Sequence, residues 1–463
     1  MKDITRKFIL PVAIVLYMLA YAGVLCEAGV PDNIGETSQW EIGYWMWSMS
    51  ESPYANPVGV KSPDLLYVAV GEYRHSGKGQ PKGNLHMNRP AKVPRAVRYV
   101  AVIRVEGIAT PAIFVIPELI EEYITAKKQE ELAGRQLIGL QIDFDCPTGK
   151  LREYAIFLEN LRLALPKEDT LSITALLDWF SPGSRIAEVL QRVDEYVPQF
   201  YDVFVRGEKS RDSGIAMPVD PAKWAPIFNS YKRPYHIGIS SFGRIANIEA
   251  DCKGDIRDES SQRTIKEEYY RYSSLSELMR YSKYKKIGEK KTRAAEKLLF
   301  FRRTDTPNCK QTLKVTIPTK ESVRASYTAA RSMGGFCKGV VFYRWPSKAE
   351  SMALTPEVIE RAISNDKRAA GPDIEAKDGY CALVSCMDLY VRLSERFQEK
   401  PVWLKISSST DLEYFIPAEF MNGKQAGPRT IEVRIPAYEG RTGTYVGRVV
   451  TAGPSEFSVE EAR

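Results

Sequence analysis

Between Ile42 and Asn365 the chain alternates short apolar runs, rich in β-branched and aromatic residues, with segments of helical period. Eight runs read as strands: Ile42–Ser48, Leu65–Gly71, Tyr99–Val105, Leu137–Phe144, Leu171–Leu177, Tyr196–Tyr201, Tyr235–Ser241 and Gly339–Arg344. Apolar spacing predicts helices over Pro117–Leu132, Leu151–Leu163, Ser184–Val193, Lys320–Met333 and Pro356–Ser364. Pro117 and Pro356 suit a first helical turn, where a missing N–H costs nothing. Strands alternating with helices, eight in number and apolar almost throughout, predict an α/β fold. The predicted architecture is a parallel (β/α)8 TIM-like barrel over residues 40–365. Met49–Asp64 and Tyr73–Arg98 are rich in Pro, Gly and Asn, so the first two crossovers are predicted to be irregular.

A long insertion, residues 243–316, follows the seventh strand and is predicted to overhang the C-terminal, or top, face. Its basic stretch from Tyr281 to Arg293 reads as a helix, serving either as a lid or basic wall for an anionic glycan or as a solvated excursion. After the turn-rich Ala369-Ala-Gly-Pro-Asp373, helical period disappears. Alternating segments at Ala382–Leu393, Val402–Ser407, Arg429–Ile435 and Thr444–Ala452 predict a small all-β, sandwich-like domain over 370–463.

Charge and composition narrow the function. Lys2, Arg6 and Lys7 precede an apolar run from Phe8 to Cys26, so residues 1–28 read as a signal peptide or a retained membrane anchor. The remainder is then exported, periplasmic or extracellular, touching the membrane only through that segment if it is uncut. Six cysteines follow: Cys146, Cys252, Cys309, Cys337, Cys381 and Cys386. Outside the cytoplasm they can pair. Cys252 and Cys309 flank the insertion and are the first candidates for a disulfide, with buried free thiols as the alternative. Of 463 residues, 27% are charged with a net charge of +7, too modest for a nucleic-acid binder. The three histidines, His75, His86 and His236, show no metal-ligand spacing, and no phosphate-binding glycine loop appears, so no metal or cofactor is expected. Gly238-Ile-Ser-Ser-Phe-Gly243 lacks the spacing of a serine-nucleophile elbow.

The most informative run is Leu137-Ile-Gly-Leu-Gln-Ile-Asp-Phe-Asp145. Residues two apart share a strand face, so Gln141, Asp143 and Asp145 line up on one side. In a barrel strand that side is the interior, rising to the top rim. Two inward carboxylates that close push one of the pair toward its protonated form, which suits acid-assisted glycosidic cleavage. The alternative is a structural pair bonded to loop amides. Other strand ends add Glu72 on the second, Arg104 on the third, Asp178 and Trp179 on the fifth, Gln199, Tyr201 and Asp202 on the sixth, and Trp345 on the eighth. Trp45 and Trp47 share a face on the first. Carboxylates and aromatic rings gathered at a barrel top describe a sugar-binding cleft, with a polysaccharide or oligosaccharide as partner.

The fourth-strand run resembles the Asp-Gly-x-Asp-x-Asp-x-Glu signature of family 18 glycoside hydrolases, the chitinases. The same places here hold Ile138, Gly139, Leu140, Gln141, Ile142, Asp143, Phe144 and Asp145. Gln199-Phe-Tyr201-Asp202 is similar to the family's sixth-strand Met-x-Tyr-Asp, and Trp345 to its eighth-strand tryptophan. The segment also resembles domain of unknown function 3142, in Gln141–Asp145, Ser172–Leu176 and Gln199–Asp202. The chitinase resemblance implies Asp145 as general acid, Asp143 as the group that tunes it, Tyr201 and Asp202 holding the reacting sugar, and Trp345 beneath it. Asp145 is one methylene shorter than the family's Glu, which sets an acid back by about 1.5 Å, and Gln141 replaces the lower Asp. Three functions follow from the sequence: an exported glycoside hydrolase acting on a cell-wall or extracellular polysaccharide, a catalytically inactive glycan-binding barrel, or a structural or assembly protein of the envelope.

Overall fold

A computed structural model describes residues 40–47, 53–57, 60–74, 84–87, 92–106, 115–202, 213–252, 284–304, 309–347, 352–364, 371–381, 386–393, 400–419, 421–437 and 443–462. Residues 1–28, read from sequence as a signal peptide or membrane anchor, therefore lie outside the described residues. Among the described residues no helix is long and apolar enough to cross a membrane.

In chain order the first half runs β1 (Glu41–Met46), β2 (Leu65–Arg74), β3 (Asn84–Met87), β4 (Arg98–Glu106), α1 (Ile116–Leu132), β5 (Leu137–Phe144), α2 (Leu151–Ala164), β6 (Thr170–Ala175), α3 (Ile186–Leu190), β7 (Glu195–Pro198), α4 (Pro221–Ser230) and β8 (Tyr235–Ser240). Then come β9 (Arg244–Cys252), β10 (Tyr284–Lys291), β11 (Lys297–Arg303), β12 (Cys309–Ile317), α5 (Lys320–Arg331), β13 (Cys337–Tyr343) and α6 (Pro356–Ile363). Strands β1, β2, β4, β5, β6, β7, β8 and β13 form the parallel sheet, and β1 pairs with both β2 and β13, so it closes into a barrel. All eight predicted strands are present. The first two crossovers contain no helix among the described residues; β3 instead pairs antiparallel with β2.

Helix chemistry explains most of the rest. Apolar Ile116, Leu119, Tyr123 and Ala126 of α1 fall on one buried face. Thr319 and Ser322 cap α5 reciprocally, each hydroxyl accepting the other's backbone N–H at 3.0 and 2.9 Å. Helix α4 was not expected from sequence, because Pro226 sits inside it. Asp220 caps it, Pro221 fills the first turn, and Trp224 and Phe228 bury its inner face.

Alternation along the strands separates two cores. Outward residues pack against the helices in a large outer layer that includes Trp179, Trp345, Tyr44 and Phe342. Inward residues Trp45, Tyr67, Val100, Val102, Val197, Tyr201, Val341 and Phe242 fill the barrel. Trp45 spans the middle of the lumen, and Gly238 makes room for it: a Cβ there would lie 3.1 Å from the indole ring.

The basic stretch of the insertion corrects the helix expectation. Tyr284–Lys291 is a strand, β10, in an antiparallel sheet ordered β10-β11-β12-β9. Its exposed side chains are Lys and Glu together with Ile287, while β11 supplies Leu299 and Phe301, which pack with Val315 and Ile317. Alternation, not charge density, decides its form. The C-terminal region forms two four-stranded antiparallel sheets. The first is ordered β14 (Asp373–Asp378), β15 (Met387–Arg392), β20 (Thr444–Thr451), β17 (Leu412–Pro417). The second is β18 (Asn422–Gly427), β19 (Thr430–Ile435), β16 (Val402–Ser408), β21 (Phe457–Glu461). Leu389, Val391, Leu404, Ile406, Val433 and Val446 form their shared core.

Among the described residues Cys381 and Cys386 are disulfide-bonded, and Cys146 and Cys337 are buried free thiols. The β9–β12 ladder sets Cys252 directly opposite Cys309 in backbone register; their side chains lie outside the described ones.

Candidate active site

The top of the lumen is built from the ends of several strands. Asp143, inward on β5, is buried with 3% of its side chain exposed. The Arg104 guanidinium on β4 donates to its Oδ2 at 2.7 Å, and the Thr174 hydroxyl on β6 donates to Oδ1 at 2.7 Å. The Gln199 amide donates to the same Oδ1 at 3.5 Å. Both oxygens of Asp143 are thus held from three different strand ends, which fixes the carboxylate in place.

Asp145 stands just past the end of β5, two residues nearer solvent, with 55% of its side chain exposed. Arg104 Nη2 lies 3.6 Å from its Oδ2. Partial desolvation raises the Asp145 pKa, and the charges of Asp143, Glu106 and Asp202 add to the rise against the lowering effect of Arg104. Burial works against the Arg104 charge, yet Asp143, Glu106 and Asp145 outweigh it and hold the guanidinium strongly protonated. One carboxylate is therefore fixed and enclosed, while its neighbour is open and biased toward its proton.

Arg104 also bonds Glu106 at 2.6 Å. A bulge in β2 between Ala69 and Gly71 shifts the strand's parity, so Glu72 pairs in register with Arg104 and Tyr73 turns into the outer core. Glu72 accepts from Arg74 at 2.7 Å on this rim. Trp47 lies 5.8 Å from the Arg104 guanidinium and 6.3 Å from the Tyr343 ring. Tyr343 stacks on Tyr201 at 4.8 Å, and Trp45 meets Tyr201 edge-on at 5.9 Å. Burial raises the Tyr201 hydroxyl pKa well above its usual value and pushes Tyr343 up to about 12, so both stay neutral donors. Asp202 follows at φ 57°, a left-handed conformation, and pairs with Arg244 of β9 at 2.5 Å.

The structure thus brings Asp143, Asp145, Arg104, Glu72, Gln199, Tyr201, Asp202 and Trp47 to one mouth. It does not bring Gln141, Asp178, Trp179 or Trp345 there as open groups. Gln141 lies a layer below, fully buried, accepting the Trp45 indole N–H at 2.7 Å and facing Ser172 at 3.4 Å. Trp179 belongs to a short 3-10 turn after β6, is buried in the outer core and donates to the Cys146 carbonyl at 2.8 Å. Asp178 in that turn is exposed and accepts from Thr148 at 2.8 Å. Trp345 lies beyond β13, packs edge-on against Tyr44 at 5.1 Å and donates to the Tyr54 carbonyl at 2.9 Å. Tyr343, at the end of the eighth predicted strand but not among the predicted site residues, occupies the inward place on that strand; its position two residues before Trp345 is the clue. Arg244 was likewise missed, because it belongs to the insertion.

Eight parallel strands with a carboxylate- and aromatic-lined mouth at their C-terminal ends define a TIM-like barrel. Residues 95–279 match the family described as Domain of unknown function (DUF3142). No curated protein matches the sequence. Among solved structures, the spore cortex-lytic enzyme SleL of Bacillus megaterium QM B1551 is 14% identical, with 71% of this chain and 74% of that chain covered and a TM-score of 0.41. Chitinase ChiA74 of Bacillus thuringiensis is 11% identical over 90% of this chain and all (100%) of the other, with a TM-score of 0.43. The family 18 chitinase of Cycas revoluta, solved in complex with (GlcNAc)3, is 13% identical over 70% of this chain and 99% of the other, with a TM-score of 0.44. At those identities and scores the likeness says nothing of this chain's chemistry.

Proposed function

We propose that this chain is an exported glycoside hydrolase that acts on a cell-wall or extracellular polysaccharide, with Asp145 as the proton donor. The observation that carries the reading is the pairing of a fixed, enclosed Asp143 with an open Asp145 whose pKa is raised. A general acid must hold its proton near working pH and still reach a leaving oxygen. Asp145 is open to a leaving oxygen and its pKa is shifted in the direction a general acid needs, while Asp143 supplies nearby negative charge. Asp202 is the second carboxylate, held at the rim by Arg244. The Trp47 and Tyr343 rings offer apolar faces on which a sugar ring can stack.

A second reading is a glycan-binding barrel without turnover. It is favoured by Arg104, whose charge 3.6 Å from Asp145 opposes protonation. The test is product analysis and binding on a glycan panel with the mature chain and its Asp145→Asn variant. Product from the wild type that is lost in the variant, with binding retained, is the expected result. Equal binding by both proteins with no product from either would overturn the hydrolase and leave the binding reading.

A further inference from the structure

Glu296 is a fully buried carboxyl that the proposed chemistry does not use. It sits at the end of the tight Thr292–Glu296 turn between β10 and β11. There its backbone N–H donates to the Thr292 hydroxyl at 3.0 Å, and its carbonyl accepts the Thr292 N–H at 2.9 Å. The turn aims the side chain out of the insertion and into the barrel's sixth crossover. Glu296 Oε2 accepts the Ile215 N–H at 3.0 Å and lies 3.5 Å from the Thr292 hydroxyl. Gly214 is the only residue type that fits beside it, since a Cβ there would lie 1.9 Å from Oε2. The strap so gripped leads straight to the mouth. The Ile215 carbonyl accepts the Asp202 N–H at 2.8 Å, the Met217 N–H reaches the Phe200 carbonyl at 2.8 Å, and Tyr201 bridges to Ala216. Lys314 of β12 adds a bond from Nζ to the Ser213 carbonyl at 2.9 Å.

We propose that Glu296 is a positioning residue for the Tyr201–Asp202 strand end, clamping the Ser213–Met217 strap so that Asp202 is presented at the mouth. Its significance for activity rests on the hydrolase reading; the clamp itself does not. The insertion thereby becomes part of the site's frame, through a side chain that never touches the mouth.

The clamp is pH-sensitive by construction. Burial pushes the Glu296 carboxyl up to about 7, with the Asp202 charge adding to the rise and the N–H groups of Ala216 and Ile215 and the Thr292 hydroxyl opposing it. Lys314 of β12 bonds the strap, Arg244 of β9 pairs with Asp202, and Arg293 lies within Glu296's own turn. Glu296 Oε1 is buried without a hydrogen-bond partner, so ionisation leaves negative charge poorly compensated. A carboxyl whose pKa is higher when clamped than in water favours the clamped state at low pH. That preference is lost as pH rises from its usual 4.5 to about 7, by a factor on the order of a hundred.

The test is hydrogen exchange of the intact protein, followed by mass spectrometry across this pH range and corrected for intrinsic exchange chemistry. The peptides compared contain Asp202 and Ile215–Met217, in the wild type and in Glu296→Gln. In the wild type, both peptides should lose protection together, on the order of a hundred-fold as pH rises through the window. Glu296→Gln, which cannot titrate, should give a flat profile. Gly214→Ala should expose both peptides at every pH. A wild-type profile without the transition, or one in which the Ile215 peptide moves while Asp202 does not, would overturn the proposal. Because no substrate enters the measurement, an inactive protein would refute the hydrolase reading and leave the clamp standing.

Discussion

The barrel floor offers a stability prediction whose size follows from geometry. Glu41, the first residue of β1, bonds the Nε2 of buried His236 at 2.8 Å and the Arg98 guanidinium. Glu195 Oε2 lies 3.8 Å from the other ring nitrogen and takes the Tyr67 hydroxyl on Oε1 at 3.1 Å. Burial alone would raise the Glu41 carboxyl, but His236 and Arg98 outweigh it and hold it down at about 2 against a usual 4.5. A depressed carboxylate contributes stability that is fully present above its unfolded pKa and fades as pH falls toward the folded one. At about 1.4 kcal/mol for each pH unit of depression, that contribution is roughly 3 kcal/mol near pH 7 and about half as much near pH 3. Glu41→Gln keeps the volume and removes the charge, so it should lower stability by about that amount near neutrality and by about half as much in acid. The assay is urea unfolding at both pH values, followed by tryptophan fluorescence, which reports the barrel because only Trp403 of the seven tryptophans lies in the C-terminal domain. A gap between wild type and variant that is equal at the two pH values, or wider in acid, would refute the reasoning.

Other consequences are direct. Gln141→Leu removes the acceptor of the buried Trp45 N–H and should cost about 1–3 kcal/mol in thermal or urea unfolding, since the orphaned donor has no water to turn to. Trp345→Phe should destabilise the protein by a similar ~1–3 kcal/mol, through a cavity and the lost indole bond to the Tyr54 carbonyl, while leaving the proposed glycan binding unchanged in a direct titration. Non-reducing peptide mapping should find Cys252 linked to Cys309, whose strands set them opposite each other. Cys252→Ser should then lower the unfolding midpoint by an amount equivalent to about 2–4 kcal/mol.

Much of the architecture was legible because burial on both faces leaves a plain trace. The barrel strands are apolar almost without interruption, and each appeared where the pattern placed it. The C-terminal region shows where that trace stops. The four strands read from sequence are β15, β20, β19 and β16, the inner pair of each sheet. The four that escaped notice, β14, β17, β18 and β21, are the edges. Edge strands bury little: β14 reads Asp-Ile-Glu-Ala-Lys-Asp, and β18 reads Asn-Gly-Lys-Gln-Ala-Gly. Charges and glycines there discourage pairing with other chains, and they also erase the alternation a reader looks for.

The candidate site divides along the same physical line. Within a strand, parity fixes the face, so Asp143 was placed inward on its spacing from Gln141 alone. Tyr201 keeps the face of Gln199 although both lie past the end of β7. Beyond a strand's last ladder bond, parity no longer binds. Trp345 has the parity of inward Tyr343, yet its backbone N–H has swung to the Trp45 carbonyl and its ring has left the lumen for Tyr44 and Tyr54. Asp145 lies one residue past β5, but Arg104 reaches 3.6 Å to its carboxyl and Asp143 repels it from within, so it stays at the rim. Its chemistry thus depends on a cation from the neighbouring strand that no reading of its own segment contains. Arg104 bonds the buried Asp143 carboxylate at 2.7 Å and, by the same charge, resists the proton on Asp145. On the proposed reading, the balance between those two effects decides whether this mouth cleaves a sugar or only grips one.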